Sequence, residues 1–209
     1  MATDDVMSKR TFFWRELLGL AGWAALLAPT SILIHEMGHF IVGYSLGFPV
    51  QLNIASVSGG PVLGSAADLA VATQASAGPA ATVVLMLIAA WWLAYRPNSK
   101  WAFALAITAP LRFIVGGTYL FWVAKSWMES AMFPGKPNFD EYNAALALGL
   151  SPVWLVFIQT CCLIVYWVWV ATRPRPIARI ASVGSVVVGA VIGIALWMAV
   201  VGPAILSLA

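Results

Sequence analysis

Five long apolar stretches set the strongest limit on how this 209-residue chain can fold. They lie near 16–45, 76–95, 101–124, 150–171 and 178–207, and an α-helix needs roughly 20 apolar residues to cross a bilayer. The chain is 62% hydrophobic and only 9% charged, whereas soluble domains carry about 25% charged residues. We therefore expect an all-α integral membrane helical bundle of about five spans, a multi-pass protein held in the lipid bilayer.

Composition divides the chain into three segments. Residues 1–15 form a polar N-terminal tail, residues 16–172 hold the first four stretches, and residues 173–209 hold a basic turn and one further span. Apart from Arg112, Lys125 and Lys136, every lysine and arginine lies in the tail, in the turn after the second stretch or in the turn after the fourth. The positive-inside rule assigns these segments, and hence the N-terminus, to the cytoplasm. Such short juxtamembrane clusters do not form a nucleic-acid-binding surface, so no nucleic-acid partner is expected.

Two histidines and a glutamate interrupt the first apolar stretch, in TSILIHEMGHFIVGY. His35 and His39 are four residues apart, so both imidazoles project from one face of a helix, with Glu36 on its flank. In H-E-x-x-H on a helix, two histidines bind zinc and the glutamate acts as general base. Histidines that only form hydrogen bonds in a core are the alternative, but both histidines of the chain fall in this motif. The motif predicts a Zn²⁺ site with His35 and His39 as ligands and Glu36 as the catalytic residue.

A catalytic zinc ion commonly has three protein ligands and an open position. The chain has no third histidine, so the third ligand is an acid or a cysteine. We favour Asp140, in GKPNFDEYNAALALG, because the predicted topology brings this segment and the HEMGH end of the first stretch to the same membrane face. The alternatives are that Glu141 is the ligand, or that Asp140 only stabilises a helix N-terminus.

These motifs resemble the site-2-protease-type intramembrane zinc metalloprotease family. HEMGH is similar to the family's H-E-x-G-H, SAGPAATVV at 76–84 to its A-G-P-x-x-N, and NFDEYNAA stands where the family has an aspartate ligand. Thr82 replaces the usual asparagine, and Glu141 follows Asp140 without the usual glycine. The resemblance covers roughly residues 20–165. It implies a zinc endopeptidase whose partners are membrane proteins with a transmembrane segment.

The segment between the first two spans, LGFPVQLNIASVSGGP, resembles the family's membrane-associated strand region. Val50, Leu52 and Ile54 alternate with polar residues, which predicts a half-buried strand. The free edge of such a strand can hold an extended substrate. An interfacial loop is the alternative.

Two features of the later spans need an explanation. Arg112 lies in the middle of the third stretch, where an arginine can pair with an acid, line a cavity or contact a substrate carbonyl; simple pairing is favoured. In the last stretch small residues recur every four positions, a pattern typical of close helix packing within a bundle, with a partner helix or with a second copy of the chain. They are Ala181, Ser185, Gly189 and Gly193.

Together these features predict a zinc-dependent intramembrane endopeptidase that hydrolyses peptide bonds in or near transmembrane segments. The alternative is a catalytically silent relative that binds membrane proteins as a scaffold. A scaffold is expected to lose metal ligands, whereas His35, Glu36 and His39 are all present. A metal or solute transporter is expected to have more polar residues in several spans than this chain has.

Overall fold

The computed structural model confirms an all-α membrane protein. It describes residues 2–59, 69–129, 137–173 and 179–206, and the side chains of these residues except 2–10 and 129. Within these residues, five helical segments are long and apolar enough to cross a membrane. They are Thr11–Ser45, Leu69–Tyr95, Lys100–Met128, Pro152–Ala171 and Arg179–Leu206. Each predicted span therefore has a counterpart.

The first half of the chain contains two long helices with a hairpin between them. Helix α1 (Ala2–Ser45) begins within the polar N-terminal segment. Strands β1 (Gln51–Leu52) and β2 (Val57–Ser58) follow, and then helix α2 (Leu69–Tyr95). Helix α2 begins about two turns before the predicted stretch. Its first residues, LAVATQAS, are less apolar than the rest but rich in alanine, which has the highest helix propensity.

The third span is interrupted, which the sequence did not predict. Helix α3 (Lys100–Thr108) runs into a 3₁₀ turn at Ala109–Phe113, and helix α4 (Ile114–Glu129) continues the span. Pro110 lies in the turn and has no backbone N–H to give to a regular α-helix. The turn contains Arg112.

Four further helices complete the described chain. They are α5 (Asp140–Ala147), α6 (Pro152–Ala171), α7 (Arg179–Leu196) and, after a π-helical turn at Trp197–Val201, α8 (Gly202–Leu206). Of the basic turn predicted before the last span, only its ends, Arg173 and Arg179, lie within the described residues.

The strands between α1 and α2 form a two-residue antiparallel ladder, in which Gln51 pairs with Ser58 and Leu52 with Val57. They are shorter than predicted, since Val50 and Ile54 lie outside them. The ladder ends because Asn53 closes the turn: its backbone N–H donates to the carbonyl of Ser56 at 2.8 Å. The predicted strand is therefore one arm of a small hairpin.

The chain separates into two compact units. One contains the described residues of Met1–Ser31, Leu85–Ala109 and Trp167–Ala209, and the other those of Ile32–Val84 and Pro110–Tyr166. All residues of the predicted metal site belong to the second unit.

In the first unit, the small residues of α7 pack against α1. The hydroxyl of Ser185 donates to the backbone carbonyl of Leu17, and a β-carbon on Gly193 would be 2.0 Å from the carbonyl oxygen of Ala25. That carbonyl lacks its usual donor four residues later, because this position is Pro29, which has no N–H. Helix α7 thus approaches α1 where the regular hydrogen bonding of α1 is interrupted, and the packing uses the small face within one chain. A partner helix or oligomer at α7 stays a prediction.

Candidate metal centre

Helix α1 presents His35 and His39 to the same point. Their Nε2 atoms are 3.3 Å apart, and both residues are buried. His39 precedes the last residue of α1 by six positions, or about 9 Å along the helix axis. The two imidazoles are therefore near one end of the span.

Helix α2 holds both rings through their Nδ1 atoms. His39 Nδ1 is 2.7 Å from the backbone carbonyl oxygen of Gln74. A carbonyl only accepts hydrogen bonds, so Nδ1 carries the proton and donates it. His35 Nδ1 is 2.8 Å from Oγ1 of the fully buried Thr82. Both contacts direct Nε2 inwards, as carbonyl and hydroxyl partners do for histidines that bind metals.

Two glycines let the backbones of α1 and α2 approach each other at the rings. A β-carbon on Gly38 would be 2.7 Å from the carbonyl oxygen of Ala77. A β-carbon on Gly78 would be 2.6 Å from Nε2 of His35 and closer still to His39. The glycines of HEMGH and SAGP therefore have a steric reason: any side chain there would occupy the space of the imidazoles or of the facing backbone.

Asp140, the first residue of α5, reaches the two histidines. Its Oδ2 is 2.8 Å from Nε2 of His35 and 3.2 Å from Nε2 of His39. Burial acts to raise the pKa of Asp140, but the hydrogen bonds and charges of the two histidines outweigh it and hold the pKa well below its usual value. One ligand atom from each of the three residues lies within 4.8 Å of the others. Two imidazole nitrogens and a carboxylate that converge in this way suit a cation at their centre.

Glu141 points elsewhere. Its Oε1 accepts a hydrogen bond from Nε2 of Gln159 on α6 at 3.0 Å. Burial raises the pKa of Glu141 above its usual value, with a further contribution from the negative charge of Asp140. Adjacent residues on a helix project about 100° apart, so Asp140 joins the histidines and Glu141 does not.

Glu36 is paired with Arg112. The guanidinium Nη2 donates to Oε1 of Glu36 at 2.6 Å. Sequence reasoning favoured an acidic partner for Arg112 but did not identify it. Since the two residues are 76 positions apart and the 3₁₀ turn was not predicted, no local signal pointed to this pair.

A cavity of about 390 Å³ adjoins these groups. Its lining combines the charged residues with hairpin and α5 residues, among them Glu36, His39, Val57, Arg112, Asn138 and Asp140. The cavity gives a reactant access to the histidine–aspartate cluster and to Glu36 together.

Sequence reasoning identified His35, Glu36, His39 and Asp140. The structure brings His35, His39 and Asp140 together, and Glu36, His39 and Asp140 line one cavity. Sequence reasoning did not identify the groups that hold the two imidazole rings in place. Thr82 was noted only as a departure from a family pattern, and the backbone carbonyl of Gln74 has no sequence signal at all. Comparison of the chain with protein-family models, with curated proteins and with solved structures finds no match.

Proposed function

We propose that this protein is a membrane-embedded zinc endopeptidase of the site-2-protease type, which hydrolyses peptide bonds in or near transmembrane segments. The observation that carries the proposal is the convergence of His35, His39 and Asp140 beside a cavity that His39, Asp140 and Glu36 line. Three protein ligands with room for a fourth are the usual arrangement of catalytic zinc.

Glu36, the residue directly after the first histidine ligand, favours zinc over other ions. Two histidines and one carboxylate also bind iron(II) in oxygenases, so the ligand set alone does not select the metal. A buried glutamate directly after the first histidine is the general base of zinc peptidases with this motif. When bound, zinc polarises a carbonyl and lowers the pKa of a bound water towards neutrality.

The roles of the protein residues follow from their positions. His35, His39 and Asp140 hold the metal, and Thr82 and the carbonyl of Gln74 fix the ring orientations. Glu36 takes the proton of the attacking water and later gives it to the leaving amine.

The substrate must be extended before it is cut, because a helical peptide bond has its carbonyl engaged in the intrahelical ladder. The hairpin between α1 and α2 offers a strand edge on which the substrate can be held extended. Val57 of β2 lines the cavity, and within the described residues the ladder consists of β1 and β2 alone. A substrate segment that pairs with a free strand edge would lie extended beside the cavity. The substrate class is therefore a membrane protein with a transmembrane segment that unwinds locally, in the same bilayer as this protein.

The proposed orientation places the N-terminus in the cytoplasm. It is supported by the distribution of lysine and arginine in the short segments that flank the spans. A reporter fused after Lys100 should then be cytoplasmic, and one within 126–137 extracytoplasmic. The reverse pattern would contradict the orientation.

One observation favours the alternative, a catalytically silent scaffold. The Glu36 carboxylate already accepts a hydrogen bond from Arg112 at 2.6 Å, so the protein itself engages one of the oxygens that a general base would offer to water. A scaffold of this kind would keep the fold and bind membrane proteins but would hydrolyse neither substrates nor model peptides.

The test combines metal analysis of the purified protein with cleavage of a model transmembrane substrate in lipid nanodiscs. The wild-type protein should contain stoichiometric zinc and cleave the substrate. Glu36→Gln should keep its zinc and lose about 10²–10⁴-fold in rate. Glu16→Gln is the matched control, because Glu16 is a glutamate on the same helix that pairs with Lys100 at 2.8 Å and does not line the cavity. Bound zinc without cleavage by the wild type would favour the scaffold, and absence of a bound metal would refute the zinc endopeptidase.

A further inference from the structure

Arg112 has more hydrogen-bonding capacity than its partner uses. Its guanidinium carries five N–H donors in a planar fork, and the contact with Glu36 is its one hydrogen bond within the described residues. Its side chain is 34% exposed, whereas that of Glu36 is 2% exposed. The remaining donors are therefore available to a molecule in the cavity that Arg112 lines.

The geometry differs from that of an arginine kept only for a structural ion pair. Such pairs are commonly bidentate, with two parallel N–H···O bonds to one carboxylate. Here one Nη2 donor contacts one carboxylate oxygen, and the Arg112 side chain is partly exposed and lines the cavity. A positive charge in a membrane span that faces a cavity usually has a functional role.

We propose that Arg112 is a further catalytic residue: it donates hydrogen bonds to the oxyanion that forms on the scissile carbonyl. This inference rests on the endopeptidase function proposed above. Asp140, His39 and Glu36 line the same cavity as Arg112. A substrate carbonyl that contacts these three residues is therefore also close to Arg112.

The movement of charge during the reaction explains why Arg112 is hydrogen-bonded to Glu36 before the substrate reacts. Water attacks the carbonyl carbon, a C–O bond forms, the carbonyl π electrons move to oxygen, and the proton lost by water goes to Glu36. Glu36 thus loses its negative charge as the substrate oxygen gains one. The charge-assisted hydrogen bond of Arg112 weakens at Glu36 and forms at the oxyanion.

The second half of the reaction reverses this transfer. The carbonyl re-forms, the C–N bond breaks with its electron pair on nitrogen, and the nitrogen takes the proton from Glu36. Glu36 is again negative and recovers its hydrogen bond from Arg112. Water is the only co-reactant, and all atoms are accounted for.

A phosphinic peptide of hydrophobic residues tests the inference, because its tetrahedral phosphinate carries the charge that the oxyanion would have. Its affinity is measured on the zinc-loaded protein for Arg112→Gln and Arg112→Lys, each in the wild-type and in the Glu36→Gln background. Arg173→Gln is the matched control, since Arg173 stacks on Trp169 outside the cavity. Zinc content, KM and kcat are measured alongside.

We expect Arg112→Gln to weaken phosphinate binding by about 10²-fold in both backgrounds and to lower kcat by about the same factor. Zinc content and KM should change little, Arg112→Lys should recover part of the loss, and Arg173→Gln should behave as wild type. Loss of phosphinate affinity only where Glu36 is intact would show that Arg112 acts through Glu36, and the inference would be wrong. Loss of zinc in parallel with kcat would also overturn it.

The phosphinate measurement needs no turnover, which separates this inference from the function on which it rests. A wild-type protein that binds the phosphinate through Arg112 but cleaves no peptide would refute the endopeptidase function and support Arg112 as an anion-binding group. A wild-type protein that cleaves peptides with no dependence on Arg112 would refute only the present inference.

Discussion

Gly78 and His39 are so close that a β-carbon on Gly78 would be 2.3 Å from the imidazole Nε2. The ring cannot move away cheaply, since its Nδ1 is held by the carbonyl of Gln74 at 2.7 Å. The backbone of helix α2 therefore acts on both nitrogens of the His39 ring. The carbonyl of Gln74 fixes Nδ1, and Gly78 lies so close to Nε2 that no side chain fits there.

Gly78→Ala should therefore lower zinc affinity by about 10- to 100-fold, the effect usual for disturbed supports of metal ligands. Equilibrium competition with a zinc chelator measures it. Gly117→Ala is the control, because Gly117 lies on a helix of the same unit and a β-carbon there would meet nothing within 4 Å. Equal zinc affinities for the two variants would contradict the proposed position of the ion between the rings.

Thr82 gives the second prediction, because its hydroxyl is the partner of His35 Nδ1 at 2.8 Å. Thr82→Val keeps the shape but removes the hydroxyl, so the buried Nδ1–H loses its acceptor. Zinc affinity should fall by about 10-fold or more, whereas Thr82→Ser should retain it. Thr118→Val is the control, since Thr118 bonds to the carbonyl of Ile114 in its own helix. A Thr82→Val protein with wild-type zinc affinity would show that this contact does not support the ligand.

The features that the sequence predicted are local. A membrane span is encoded in one run of apolar residues, so all five were found, with boundaries that differ by at most seven residues. The i, i+4 spacing of His35 and His39 likewise fixes their common face without knowledge of any other helix. The prediction of Asp140 could not rest on local spacing, because Asp140 lies 105 residues from His35. Only a predicted topology and a family resemblance linked the two residues.

The features that were missed depend on contacts between distant segments. The Arg112–Glu36 pair exists because the 3₁₀ turn around Pro110 presents Arg112 to the cavity, and a hydropathy pattern does not show such a turn. The hairpin is shorter than predicted because Asn53 closes a turn through a backbone hydrogen bond. The His39 ring is held by the backbone carbonyl of Gln74. Because any residue type has such a carbonyl, the sequence does not predict this contact.

The contact between α7 and α1 gives a prediction that is independent of the proposed function. A β-carbon on Gly193 would be 2.0 Å from the carbonyl oxygen of Ala25, a backbone atom that cannot yield without a shift of the helix. Gly193→Ala should lower the free energy of unfolding by about 1–3 kcal/mol, as overpacking commonly does. Gly184→Ala should not, because a β-carbon there would meet nothing within 4 Å. Thermal unfolding in detergent, at one protein concentration, compares the two, and equal midpoints would contradict the close packing.

The assignment of the third ligand is tested by two adjacent acids. The carboxylate of Asp140 lies 2.8 Å from His35 Nε2, whereas that of Glu141 accepts a hydrogen bond from Gln159. Asp140→Ala should therefore lower zinc occupancy sharply, and Glu141→Ala should change it little. The fold of Asp140→Ala should persist, because the spans satisfy their backbone hydrogen bonds internally whether or not a metal is bound.

Zinc content after dialysis against a weak chelator, with circular dichroism as a measure of helix content, decides between the two acids. Glu141→Gln serves as a second control, since its amide oxygen can still accept the hydrogen bond from Gln159. If zinc content follows Glu141 instead of Asp140, the ligand is the neighbouring residue and α5 must turn on its axis to supply it. If neither substitution changes zinc content, α5 contributes no ligand, and the short contacts of Asp140 with the histidines are hydrogen bonds without a metal.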